Sequence, residues 1–506
     1  MKMKCCLLAA AALLPSLLFC LPAARAEAPY QAYVYDEWGK SKAAPTSYVP
    51  AAAYTGADAG VGHFDEPQDL FAAEDGFLYI ADTGNDRIVK VDERFQAVEA
   101  IESFRLKGSE TALKEPAGVF VRPDGAMYVA DRGNGRVLRV GPRGEVELVI
   151  EKPRHALIPD DFAFKPVKVT ADRAGRIYVL SEGQYFGLMQ FDRDGAFLGY
   201  FGSNKVEVTP AVLVETFWKR ILSKEQREGM AKLLPIEYSN VTIGGDGFVY
   251  TTTVVTKNSR EEIKKLNPLG NNVLLGRDGR GDFGDREVPV VGAVALDTSF
   301  VDLDVDRNGF IAGLDRTRGR VFEYDQEGNP VAVFGALGNQ QGTFLQPAAV
   351  AYWGDAIVVL DAGKRNVTAF RRTEYGELVY KATLLYNEGL YEQAADVWRD
   401  VVVRNVHNRI AYVGIAKALE KQGDYRAAMH YYKLGADRSG YSDSFAYLRI
   451  DAVRANLPIA MTALLAAIAG RYAYKAIRAL RAALAARAGA QAGPRAEAGA
   501  KGERAL

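Results

Sequence analysis

Cysteine is all but missing from this 506-residue chain: there are three, Cys5, Cys6 and Cys20, and all lie within the first twenty residues. Beyond them no disulfide and no cysteine metal site can form. The rest must be held by core burial, which favours large regular domains over a small cross-linked scaffold. Histidine is nearly as scarce, with four in the chain. Net charge is absent, since 63 Lys and Arg balance 63 Asp and Glu. That excludes a general nucleic-acid binder, which needs a basic surface to displace counterions from phosphate.

Long apolar runs are also few. The first, Leu7 to Leu21, follows Lys2 and Lys4 and precedes Ala24-Arg25-Ala26. A basic start, an apolar stretch and a small-x-small cleavage site predict a secretory signal peptide over residues 1–26. Phe19 stands where a lipidation signal at Cys20 would need a small residue. The chain is therefore expected to be exported, and to lose every thiol with its leader.

What is present is a repeat. Phe64-Asp65-Glu66-Pro67 leads to Asp75-Gly76-Phe77-Leu78-Tyr79-Ile80-Ala81-Asp82-Thr83-Gly84-Asn85-Asp86-Arg87. Leu113-Lys114-Glu115-Pro116 leads to Asp124-Gly125-Ala126-Met127-Tyr128-Val129-Ala130-Asp131-Arg132-Gly133-Asn134-Gly135-Arg136. Pro67 and Pro116, Asp82 and Asp131, and Arg87 and Arg136 share one separation of 49 residues. Each landmark has a physical role. Proline lacks the N–H of a ladder and suits a strand entrance. Asp-Gly between β-rich runs makes a tight hairpin. The Asp-x-Gly-Asn turn bonds nearby N–H groups, and the following Arg can return to its Asp. Weaker copies start near Phe164, Tyr238, Val301 and Phe344, making six units.

These residues resemble the NHL repeat family over about residues 60 to 372. The resemblance implies a mainly β fold, a six-bladed β-propeller over residues 27–372 whose first strands line a central channel. Tyr33-Val34-Tyr35-Asp36-Glu37-Trp38-Gly39 reads as the strand that closes the last blade. Strands hidden in Ala51–Gly60 or Arg286–Ala295 would make seven blades instead. Residues 206–235 break the repeat with a predicted helical insertion, in which Phe217, Trp218, Ile221 and Leu222 recur at helical spacing. Ser223 and Gln226 form a capping box. Phe217 and Trp218 are candidates for a partner surface, or simply attach the insertion to the propeller. In Gly276–Asp285, the carboxylates of Asp278, Asp282 and Asp285 lack the bidentate Glu of a calcium loop and read as a solvated turn.

After Phe370 the period becomes helical. Gly389/Gly423, Tyr391/Tyr425, Ala394/Ala428 and Trp398/Tyr432 are each 34 residues apart. Residues 373–455 thus resemble a tetratricopeptide repeat, a module that binds proteins, although two units serve equally as a spacer. Leu457 to Gly470 carries no charge and, with Arg471 and Lys475 snorkelling, predicts a transmembrane helix over 456–478. Arg478, Arg481 and Arg487 then mark a basic, disordered cytoplasmic tail over 479–506. A buried Ala-rich helix is the alternative.

NHL-like propellers include a metal-dependent peptide-amidating lyase and, more distantly, calcium- or zinc-dependent lactonases of the gluconolactonase type. Only His63 and His155 fall within the propeller, which disfavours the lyase. Asp69, Asn240, Asp302 and Asp304 lie near predicted inner strands and are the candidate ligand-binding residues; no metal site is assigned. The reading favoured is a single-pass membrane protein whose extracytoplasmic propeller binds a protein or carbohydrate partner at the cell surface and needs no cofactor. The alternative is a lactonase-like hydrolase using calcium or zinc.

Overall fold

The computed structural model describes residues 28–202, 237–253, 262–274, 283–291 and 294–491. The signal peptide, the insertion with Phe217 and Trp218, Asp278 and Asp282 lie outside the described residues.

Six antiparallel sheets are built in chain order. The first blade comprises Asp69–Ala72, Leu78–Asp82, Arg87–Val91 and Ala97–Ile101; the second, Pro116–Val121, Met127–Asp131, Arg136–Val140 and Val146–Ile150. The third comprises Pro166–Ala171, Ile177–Ser181, Leu188–Phe191 and Phe197–Phe201, and the fourth shows Tyr238–Ile243, Val249–Thr253 and Ile263–Leu266. The fifth has Phe300–Val305, Ile311–Asp315, Arg320–Tyr324 and Pro330–Phe334. The sixth has Pro347–Trp353, Ala356–Asp361 and Asn366–Arg372. The first strand of each blade packs against that of the next, and the sixth returns to the first. The units therefore form a closed ring, with aliphatic residues such as Ile80, Val89, Val358 and Leu360 buried between neighbouring sheets.

The repeat landmarks do the work their chemistry suggests. At the Asp-Gly hairpins of the first two blades the aspartate accepts the N–H two residues on, as Asp75 does from Phe77 and Asp124 from Ala126, both at 3.1 Å. Gly76 and Gly125 supply the positive φ, at 88° and 84°. Asp82 is fully buried; it accepts from Asp65 N at 2.7 Å, Asn85 Nδ2 at 2.9 Å and Arg87 Nε at 2.8 Å. Asp131 repeats the set with Lys114 N, Asn134 Nδ2 and Arg136 Nε at 2.8, 2.9 and 2.7 Å. Each carboxylate ties the loop entering its blade to the turn within it. In the third blade Ser181 keeps one of these bonds, accepting Lys165 N at 3.0 Å.

Ring closure differs from the sequence expectation. Tyr33–Tyr35 does not reach the last blade; it folds back on Ser41–Ala43 as a two-stranded hairpin, with Asp36 Oδ1 accepting Trp38 N and Lys40 N at the bend. The closing strand is Tyr48–Thr55, paired antiparallel with Asn366–Arg372 from Thr55↔Asn366 to Tyr48↔Arg372. Pro50 is accommodated because it lies on the outermost strand beside a register shift. Ala51–Gly60 thus holds a strand, but that strand completes the sixth blade and adds no seventh. Within Arg286–Ala295 only the short pair Val290–Val291 and Val294–Ala295 is described.

Five helices follow: α1, Glu374–Asn387; α2, Tyr391–Arg404; α3, Arg409–Lys421; α4, Tyr425–Leu434; and α5, Arg438–Gln491. Thr373 caps α1 by accepting Gly376 N at 3.1 Å, while its hydroxyl donates to Thr46 O at 2.6 Å next to the closing strand. The chain divides into two compact units, residues 1–415 and 416–506. In the first, Ala382, Ala394, Trp398 and Val401 are buried where α1 meets α2. In the second, Ala428 and Tyr432 are buried, and Glu420 accepts from Tyr432 OH and Ser444 Oγ, both at 3.0 Å. Helix α5 runs through 455 and 478 without a break, with Pro458 inside it. It contains one stretch long and apolar enough to cross a membrane, and that stretch is exposed.

Candidate functional site

The first strands place one equivalent residue from each blade at the axis. Opposite the residue before each turn stand Asp69, Gly118, Lys168, Asn240, Asp302 and Ala349, in blade order. Each lies two residues after the Pro, Phe or Tyr that opens its blade, at Pro67, Pro116, Pro166, Tyr238, Phe300 and Pro347. The odd blades contribute charge and the even blades contribute small or amide side chains. Gly118 is required here, because a Cβ would lie 2.5 Å from Val167 O of the next blade.

Three of the four channel candidates thus belong to one layer, and the structure adds Lys168. Its ammonium donates to Asp302 Oδ1 at 3.0 Å and also to Asp69 Oδ1, joining the first, third and fifth blades across the axis. The other oxygens face sideways. Asp69 Oδ2 accepts Val119 N at 2.9 Å from the second blade, and Asp302 Oδ2 accepts Val350 N at 2.7 Å from the sixth. Asp304, two residues further along the strand, accepts Tyr352 N at 2.9 Å. Asn240 Nδ2 donates to Leu303 O at 3.1 Å. Every candidate carboxylate therefore joins one blade to its neighbour.

Burial sets the electrostatics. Lys168 is 13% exposed at its side chain, against 6% for Asp69 and 4% for Asp302. Desolvation pushes Asp302 up to about 7 against the pull of Lys168, and raises Asp69 for the same reason. Asp304 is pushed up to about 6 by burial, only partly offset by its N–H partners. Burial opposes the Lys168 charge, yet the carboxylates of Asp302 and Asp69 outweigh it and hold the ammonium above the ordinary lysine range.

The cluster borders a cavity of about 30 Å³, enough for one or two waters, lined also by Thr170, Thr242 and Val241. Thr170 Oγ1 and Asn240 Oδ1 have no protein partner among the described residues, which suits a small polar cavity. The donor set does not suit a calcium or zinc ion. Lys168 takes the place between Asp69 and Asp302 that a divalent cation would need, and among the described residues no group of three or more His, Cys, Asp or Glu is arranged to hold a metal.

Two polar clusters away from the axis were not foreseen. Asp285, expected in a solvated turn, is 3% exposed at its side chain and accepts from Arg318 Nη1 and Arg320 Nη1 at 2.6 Å and from Tyr35 OH at 2.9 Å. Tyr33 OH also donates to it, so this carboxylate pins the N-terminal hairpin to the fifth blade. Glu323 is buried and accepts from Tyr48 OH at 2.7 Å and Tyr352 OH at 3.2 Å. Burial pushes it up to about 7 despite Arg372 nearby. Arg372 stacks over Tyr380 of α1 at 3.7 Å, and Tyr380 OH donates to Asp306 at 2.9 Å, binding α1 to the fifth and sixth blades.

Sheets, register and closure define a six-bladed β-propeller protein with a C-terminal helical segment. No family model matches the sequence, and no curated protein matches it. Similar solved structures include virginiamycin B lyase from Staphylococcus aureus, at 10% identity over 61% of this chain and 96% of that one, with a TM-score of 0.38. A streptogramin B lyase is similar at 11% identity over 65% and 98%, with a TM-score of 0.38. The extracellular domain of the putative hybrid two component system BT4673 from B. thetaiotaomicron is similar at 10% identity over 64% and 39%, with a TM-score of 0.33. Values this low carry nothing about activity.

Proposed function

We propose that this protein is an extracytoplasmic binding or scaffold module, held at a membrane by α5, whose propeller and helical segment present surfaces to a protein or carbohydrate partner. One observation carries the reading: the ammonium of Lys168 bridges Asp69 and Asp302 at the axis, while the other oxygen of each bonds a backbone N–H of the next blade, so the channel carboxylates serve as inter-blade ties. A lactonase-like hydrolase would have to expel that ammonium before binding a metal. In this reading the hairpins α1–α2 and α3–α4 are tetratricopeptide-like, supported by buried Ala394, Trp398, Ala428 and Tyr432 at the repeat positions. The leader and the basic end of α5 agree on an orientation with the propeller outside and the C-terminus inside.

Crosslinking in membranes followed by co-purification of the tagged chain tests the binding role. A recovered stoichiometric partner supports it. Hydrolysis of lactones or esters that depends on added calcium or zinc, and survives in no channel variant, would replace it with the enzyme reading. Truncation before Leu457 tests the anchor, since the shortened chain should be released in soluble form.

A further inference from the structure

We propose that the segment of α5 from Arg471 to Arg481 is a docking surface for the headgroups of anionic phospholipids. The inference rests on the membrane-anchored reading and adds a lipid preference to it. Because α5 stays helical through Gln491, the residues beyond the apolar run have defined faces. Arg471, Lys475 and Arg478 follow one another at four and three residues and so share a stripe, with Arg481 at its flank. Ile477, Leu480 and Leu484 occupy the other side of the same turns and are all exposed. The cations are thus gathered on one side of the helix just where the uncharged run ends.

Position along the helix gives the same answer. Leu457–Gly470 covers about 21 Å of a hydrocarbon core of about 30 Å, so the adjoining turns must reach the boundary. Arg471 and Lys475 follow at once, with Tyr472 and Tyr474 beside them, 69% and 65% exposed, as boundary-seeking aromatics. The charge is unopposed. No Asp or Glu occurs between Asp451 and Glu497, and among the described residues none of these cations has an ion-pair partner. Anionic headgroups are the opposite charge that a helix leaving the hydrocarbon meets at this depth. Arg forks bind phosphate oxygens bidentately, which matches phosphodiester headgroups.

The test uses the full chain reconstituted in vesicles of phosphatidylcholine containing trace spin-labelled phosphatidylglycerol or spin-labelled phosphatidylcholine. The fraction of motionally restricted label gives the relative association of each lipid. The expected result is a preference for phosphatidylglycerol of about fivefold, the equivalent of one headgroup–cation contact, shrinking as salt is raised. Arg471→Gln, Lys475→Gln and Arg478→Gln together should bring the ratio close to one while the protein still floats with the vesicles. Equal association of both lipids with the wild-type chain overturns the lipid preference and leaves the anchor standing. Failure of the wild-type chain to float after an alkaline wash overturns the anchor and the lipid preference together.

Discussion

Lys168 on the third blade donates to Asp302 on the fifth at 3.0 Å, across the axis of the ring. Removing one partner of a buried ion pair leaves the other uncompensated, at a cost of about 3–5 kcal/mol. Lys168→Met should therefore lower the urea midpoint strongly, and combining it with Asp69→Asn and Asp302→Asn should recover most of the loss. If Lys168→Met left stability unchanged, the axial cluster would not be a structural tie.

Asp304 gives the fold an unusual pH response. Its folded value of about 6 lies above the 3.8 of an exposed aspartate, so between these limits the folded chain binds more protons than the unfolded one. Its contribution to stability is greatest below about 4 and falls as pH rises to about 6, by roughly 3 kcal/mol. Asp304→Asn keeps an acceptor for Tyr352 N and should lack this component. Unfolding measured from pH 4.5 to 7.5 should show the variant gaining on the wild type as pH rises, and parallel curves would refute the assignment.

The repeated turns predict a graded series. Asp82→Ala and Asp131→Ala each strand an arginine and two further donors, and should cost about 3–5 kcal/mol. Ser181→Ala removes a neutral bond to Lys165 N and should cost about 1 kcal/mol. Chemical denaturation of the three variants checks the order.

Truncation separates the two candidate closing strands. A chain starting at Ser47 lacks the hairpin of Tyr33–Tyr35 but retains the strand paired with Asn366–Arg372, and should remain folded at reduced stability. A chain starting at Gly56 leaves the sixth blade with an open edge and should aggregate. Size-exclusion chromatography distinguishes the outcomes, and a monodisperse chain starting at Gly56 would show closure to be dispensable.

Much of the architecture was readable because the repeat is covalently periodic: the separation of Asp82 from Asp131 fixes both the blade length and the buried turn. Asp69, Asn240 and Asp302 were found as polar residues at inner strands. Lys168 is not legible as a channel residue from a pattern of oxygen ligands, Asp and Asn, although its place two residues after Pro166 matches that of Asp69 after Pro67. The closing strand was missed for a different reason. Tyr33-Val34-Tyr35 has the stronger local β preference, whereas Tyr48–Thr55 is rich in alanine and contains Pro50, and only its distant partner makes it a strand. Asp285 reads as loop for the same cause, since its arginine partners come from the fifth blade.

The pairing of Thr55 with Asn366 also dictates timing. The earliest ribbon of the propeller has to wait for the latest, so a growing polypeptide carries an unsealed seam until Arg372 has emerged. Five sheets can assemble successively from neighbours in sequence, while the sixth joins pieces made more than three hundred residues apart. Any interruption of synthesis before that point leaves two raw β edges facing solvent, and such fragments are the species a cell would have to degrade.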